Sequence, residues 1–366
     1  MTHHISRARL IALLGVGGLA LAGCSAVGAG DEATGTSTSA SGEQTSTAGG
    51  TVRLITHDSF ALSEELIAQF EADTGLTLEQ VAPGDAGSMV NQLILTKDAP
   101  IGDVVFGIDN SFATRAIDEG VLAPYTSPAL PADAAQYAVD EAGSLTPIDT
   151  GDVCVNADDE WFADAGLELP VTFEDLLEPE YADLLVVENP ATSSPGLAFL
   201  LATVGAFGED GWLDYWAGLR DNGVAVAASW SDAYYVDFSG PSSEGDRPLV
   251  VSYSSSPPYE VPEGEDTAPT SALLETCFRQ VEYAGVIAGA ANPEGAQLVI
   301  DWLLSPEVQA DIPGSMYVYP VDSTVALPED WARFAPQAAS PFVVAPAEIA
   351  ANRDAWITAW TDTVIG

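Results

Sequence analysis

Basic residues are the scarcest feature of this chain. Lys and Arg together number 10 against 55 Asp and Glu, and Lys97 is the lone lysine. A formal charge of -45 argues against nucleic-acid binding, which needs basic surface to displace counterions from phosphates. It favours cationic partners only weakly, because most of such a charge is solvated acidic surface. Histidine is almost as rare: beyond positions 3 and 4 only His57 remains. With three cysteines and no His/Cys cluster at ligand spacing, no zinc site is expected. No serine sits in a G-x-S-x-G elbow, and neither a P-loop nor G-x-G-x-x-G occurs. His57, Asp58 and Ser59 are adjacent, but consecutive residues of an extended strand point to alternating sides, so they form no triad. Catalysis, a metal and a cofactor are therefore not expected. There is no internal repeat and no apolar run long enough to cross a bilayer.

What is present begins with Arg7 and Arg9, a short apolar run from Leu10 to Leu21, and then Leu21-Ala22-Gly23-Cys24. A basic start, an apolar stretch too short to span and small residues before a cut site read as a secretory signal over residues 1–23. The Leu-Ala-Gly-Cys ending resembles the lipobox of bacterial lipoproteins. That resemblance implies a diacylglycerol-modified Cys24 and a protein anchored at the outer face of the cell membrane, or periplasmic. Loss of residues 1–23 removes two arginines and no acids, taking the charge to about -47. Residues 24–50, rich in Gly, Ser and Thr, read as a flexible linker. About 315 residues follow, enough for two lobes of ordinary size. Cys154 and Cys277 are either a disulfide, which suits an oxidising compartment, or two buried thiols.

Thr51–Thr56 is β-rich, and Leu62, Leu66, Ile67 and Phe70 recur at helical spacing. A strand over Leu76–Val81, a helix reaching Leu95 and a strand over Asp103–Ile108 follow. This alternation predicts a parallel sheet covered by helices, with ligands beyond the carboxyl ends of its strands. A second alternating region starts after Pro147. It has strands at Leu184–Val187, Val224–Ala228, Leu249–Tyr253 and Val281–Ala288. Its first helix covers Pro195–Phe207, with Ser193 or Ser194 as cap; others lie near Glu294–Leu304 and Ala347–Val364. Two α/β lobes are the simplest architecture.

Several segments occur in order: Thr56-His57-Asp58-Ser59-Phe60, Gly107-Ile108-Asp109-Asn110, Thr192-Ser193-Ser194-Pro195-Gly196-Leu197, Trp230-Ser231-Asp232-Ala233-Tyr234 and Ser252-Tyr253-Ser254-Ser255-Ser256-Pro257. With Gln280-Val281-Glu282, Tyr319-Pro320-Val321 and Pro346-Ala347-Glu348, this set resembles the thiamine-binding substrate-binding components of bacterial ABC transporters, relatives of ferric-ion binding proteins. The resemblance spans essentially all of residues 51–366. It implies a two-lobed, type II periplasmic-binding-protein-like α/β fold whose cleft lies between lobes joined by crossover strands. Lobe 1 would comprise 51–148 and 283–315, and lobe 2 would comprise 149–282 and 316–366. The implied ligand is thiamine or a thiamine phosphate, passed by a monomer to an ABC permease with a separate ATPase. The matching ligand residues are Asp85, Ala86, Ser193, Ser194, Trp230, Tyr253, Ser254, Ser255 and Ser256, with His57, Asp58, Asp109, Tyr234, Tyr259 and Tyr317 as lesser candidates. Ala86 replaces a usual glycine, and His57 a common tyrosine.

The chemistry of these residues suits a flat cation. Trp230 and Tyr253 can stack on a thiazolium, Asp85 can balance its charge or accept from an amino group, and serines beside helix-starting N–H groups suit phosphate oxygens. Plainer roles exist for each: Trp230 and Tyr253 in a core, Ser193 and Ser194 as helix caps, Asp58, Asp85 and Asp109 in turns or caps. Tyr234-Tyr235 leaves a ferric-ion carrier as the rival within the class, and a surface-anchored hydrolase as the rival outside it.

Overall fold

The computed structural model describes residues 50–366. The expected leader over 1–23, Cys24 and the linker up to residue 49 lie outside the described residues; Gly50 already belongs to the first strand. The strands are β1 (Gly50–Ile55), β2 (Leu76–Val81), β3 (Val104–Asp109), β4 (Leu122–Ala123), β5 (Thr146–Asp158), β6 (Leu185–Glu188), β7 (Ala225–Ala227), β8 (Leu249–Tyr253), β9 (Thr270–Ile287) and β10 (Tyr319–Pro320). The helices are α1 (Glu64–Thr74), α2 (Ala86–Leu95), α3 (Ala113–Asp118), α4 (Asp159–Ala165), α5 (Ser194–Asp221), α6 (Trp230–Asp232), α7 (Pro293–Leu303), α8 (Pro306–Ser315), α9 (Trp331–Phe334) and α10 (Pro346–Val364).

All ten strands join one sheet, in the order β2-β1-β3-β9-β5-β8-β6-β7, with β4 on β9 and β10 on β5. The expectation of a parallel sheet needs correction. Parallel pairing is confined to two wings, β2-β1-β3 and β8-β6-β7, while β3/β9, β9/β5 and β5/β8 are antiparallel. Each wing is a strand–helix–strand unit, because parallel neighbours need a crossover long enough to hold a helix. The centre is built differently. β5 and β9 pair from Thr146↔Ala284 to Asp158↔Thr270, so each runs through the middle and serves both wings. β9 starts at Thr270, well before the expected Val281, and β5 was not expected as a strand at all. Both carry polar residues, and β5 throughout and β9 over Gln280–Ile287 are buried on both faces, so neither shows there the alternation that marks a half-exposed strand.

Along β1, Leu54 packs to one side with Val104, Phe106 and Ile300, whereas Ile55 joins Val105 and Leu197–Leu201 on the other. Both faces of that wing are therefore covered, as a two-residue period requires. α5 carries the largest core. Its buried stretch Ser194–Val204 ends in a kink at Gly208, whose φ of 68° suits glycine. α10 closes over α5, with Trp360 edge-on to Trp216 at 5.5 Å. Of the two readings for the remaining cysteines, the structure has the bridge: Cys154 of β5 and Cys277 of β9 form a disulfide where the ladder slips between Val153 and Val155.

Candidate functional site

The strand-to-helix turns converge on one cleft. His57 follows β1, Asp85 follows β2, Ser194 follows β6, Trp230 follows β7 and Ser256 follows β8. All five line a cavity of about 340 Å³, as expected at the carboxyl ends of strands in such sheets. No lysine or arginine lines it among the described residues.

One wall is aromatic. Trp230 stacks on Tyr234 at 5.0 Å and anchors its indole by donating Nε1–H to Ser252 Oγ at 2.9 Å. Tyr235 stands edge-on to Trp230 at 5.3 Å, Tyr259 follows Tyr235 at 6.3 Å, and Tyr317 follows Tyr259 at 5.1 Å. Tyr253 completes the lining, its ring seated against Gly151, where a Cβ would come within 2.8 Å of it. Tyr317 holds a positive φ of 54°, a conformation that costs a tyrosine about 1–2 kcal/mol. Its carbonyl accepts from Ser255 Oγ at 2.6 Å, which helps to hold the ring there.

The opposite side is acidic. Glu282 of β9 lines the floor, 3.5 Å from His57 Nε2. The His57 ring fits because β3 bulges at Gly107, where a side chain would run into the imidazole. His57 Nδ1 accepts the Ser59 N–H at 3.2 Å, so the neutral ring carries its hydrogen on Nε2, toward Glu282. Directly across the β5/β9 ladder from Glu282 stands Asp149. Burial pushes Asp149 up to about 7, and burial together with Asp149 raises Glu282 well above the carboxylate range. Burial also raises Asp58, at the rim, with Asp85 adding to the effect.

Asp85 lines the cleft and also serves the backbone around it. One of its oxygens accepts from the N–H of Ala86 (2.6 Å) and Ser194 (3.3 Å), and the other from the N–H of Trp230 (3.0 Å). The carboxylate thus gathers the starts of α2, α5 and α6, and its oxygens are committed to the backbone. Burial pushes its pKa up, against the pull of those amides.

Of the expected site residues, Asp85, Ala86, Ser194, Trp230, Tyr253, Ser256, His57, Asp58, Tyr234, Tyr259 and Tyr317 line the cleft. Ser193, Ser254, Ser255 and Asp109 do not. Ser193 caps α5 through Gly196 N–H, and Ser254 donates its N–H to the Asp152 carbonyl at 2.8 Å. Asp109 accepts from the N–H groups of Ser111 (2.9 Å) and Phe112 (3.0 Å) and from Ser194 Oγ. The plainer reading, cap or turn, holds for Ser193 and Asp109, because each satisfies free amides at a chain turn. Glu282 also lines the cleft, and the Gln280-Val281-Glu282 segment by itself assigns it no role. Ser315–Val318 carried no signal, since this turn reaches the cleft only through the tertiary fold.

Comparison with known proteins fits this arrangement. The family described as bacterial extracellular solute-binding protein matches residues 99–343. The thiamine-binding periplasmic protein of Escherichia coli (strain K12) is 31% identical over 319 residues, covering 84% of this chain and 92% of that protein. The chain belongs to the bacterial extracellular solute-binding protein family. A solved periplasmic thiamin binding protein is 29% identical and superposes with a TM-score of 0.75, covering 86% of this solute-binding protein and 96% of the other chain. The ferric binding protein from Campylobacter jejuni, 16% identical with a TM-score of 0.65, shares the fold. The fold is accordingly the two-lobed type II arrangement, with β5 and β9 as its crossover strands.

Proposed function

We propose that this solute-binding protein captures thiamine, or one of its phosphate esters, outside the cytoplasm and hands it to an ABC permease driven by a separate ATPase. The observation that carries this reading is the pairing of an aromatic wall with an acidic floor in a cleft that no lysine or arginine lines among the described residues. A thiazolium is flat and permanently positive, and such cation–π contacts contribute about 0.5–2 kcal/mol each. The similarity to thiamine-binding proteins over most of the chain supports the same ligand. The division into 51–148 with 283–315 and 149–282 with 316–366, the lipid anchor at Cys24 and a monomeric state belong to this proposal. So do capture without turnover and the absence of a cofactor.

The ferric reading is disfavoured by the tyrosine pair. Tyr234 is buried and stacked on Trp230 at 5.0 Å, with Tyr235 edge-on to it at 5.4 Å, so the two rings are built into the aromatic wall. Calorimetric titration with thiamine tests the proposal, and saturable binding is expected. Trp230→Ala should weaken that binding at least about tenfold; unchanged affinity would remove Trp230 from the site. A visible charge-transfer band with ferric salt, and no response to thiamine, would favour the iron reading. Turnover of thiamine phosphates by the purified protein would favour the hydrolase.

A further inference from the structure

Glu282 lies at the floor of the cleft with a second carboxyl directly behind it. Asp149 is fully buried, and no N–H or O–H group of another residue reaches either of its oxygens among the described residues. The Glu282 carboxyl, opposite it on β9, is the group able to satisfy it, and only while a proton sits between them. Two carboxyls this close in a dry interior cannot both ionise easily. The groups facing them add no fixed positive charge. His57 comes from the turn after β1, Asp109 from the end of β3 and Tyr253 from β8. Arg279, the nearby cation on β9, is engaged by Asp152 instead.

We propose that Glu282, backed by Asp149, is the residue that selects a cationic ring, and that capturing the cation drives out the proton the two carboxyls hold between them. The inference rests on the thiamine reading and deepens it. A positive ring above Glu282 removes the cost of ionising the pair, whereas a neutral ring of the same shape gains nothing. The exchange balances: one positive charge enters the cleft and one proton leaves for solvent. A cation and a proton then compete for the same carboxyls, so affinity for the cation rises with pH until the empty pair ionises by itself.

The test is calorimetry of the full chain with thiamine in two buffers of different ionisation enthalpy, repeated between pH 6 and pH 8. Wild-type protein should release up to about one proton per thiamine and bind more tightly at the higher pH. Glu282→Gln should lose the release and the pH dependence, and bind thiamine at least about tenfold more weakly at pH 8. It should bind thiochrome, a flat uncharged oxidation product of thiamine, as the wild type does. Asp149→Asn leaves the cleft carboxyl in place and removes the partner that holds a proton on it, so it should bind thiamine more tightly than the wild type at pH 6, as tightly at pH 8, and release less proton; should Glu282→Gln fail to fold by circular dichroism, this variant and the wild-type proton count decide the matter. Thiamine binding without proton release, or a folded Glu282→Gln with wild-type affinity and pH profile, would overturn this inference and leave the thiamine reading standing. Failure of the wild type to bind thiamine at any pH would overturn both.

Discussion

Asp149 titrates near 3.8 when unfolded, yet burial in the sheet pushes its carboxyl up to about 7. The folded state therefore holds more protons between those values, and this group's contribution to stability declines as pH rises from about 4 to about 7. Asp149→Asn should match the wild type at pH 4 and exceed it at pH 7 by about 2–4 kcal/mol, read from urea denaturation at both pH values. Nothing in the local sequence marks this residue, because its burial is set by the sheet around it, and Glu282, 133 positions away, is aligned with it only by the β5/β9 register. Trp230 and Tyr253 were recognisable from their motifs, since an aromatic after a strand is visible in the chain itself. Ser254 and Ser255 were not separable from Ser256: three adjacent serines look alike until the turn directs one hydroxyl to Ser252 at 2.8 Å and another to Tyr317.

At the scale of elements, Asp85 is the point where three helix starts meet. Free N–H groups at a helix start carry partial positive charge, and a buried carboxylate satisfies them. Asp85→Ala should cost at least about 2 kcal/mol, because the loss strips a cap and leaves buried amides without a partner. Thiamine affinity should fall with it, since Trp230 loses the bond that sets its backbone; thermal melting followed by calorimetry checks both. The elements themselves were largely readable. Leu76–Val81 and Leu249–Tyr253 form strands over the expected residues, and α1, α2, α7 and α10 fall on expected helices, while α5 runs past the expected end at Phe207 to Asp221. β5 escaped notice because Asp149, Asp152 and Asn156 interrupt it, and only burial against β8 and β9 makes a strand of it.

At the scale of the whole molecule, β5 and β9 tie the two wings together, and the Cys154–Cys277 bridge fastens that seam. It closes a loop across a separation of 123 residues, and cross-links of such length contribute about 2–5 kcal/mol. Replacing both cysteines by serine should lower the urea midpoint accordingly while leaving thiamine affinity within about twofold, because neither cysteine lines the cleft. A larger loss of affinity would mean that the seam also sets the shape of the cleft.

Composition and order of motifs determined, without coordinates, the binding-protein class, the alternating α/β wings and most of the aromatic wall. Those features depend on local periodicity and on short segments whose chemistry is carried by neighbours in the chain. The antiparallel centre, the commitment of Asp85 to three backbone amides and the carboxyl pair under the cleft were decided by the tertiary structure alone. Each depends on groups far apart in sequence being brought together and sealed from water, where a missing donor or a second negative charge becomes costly.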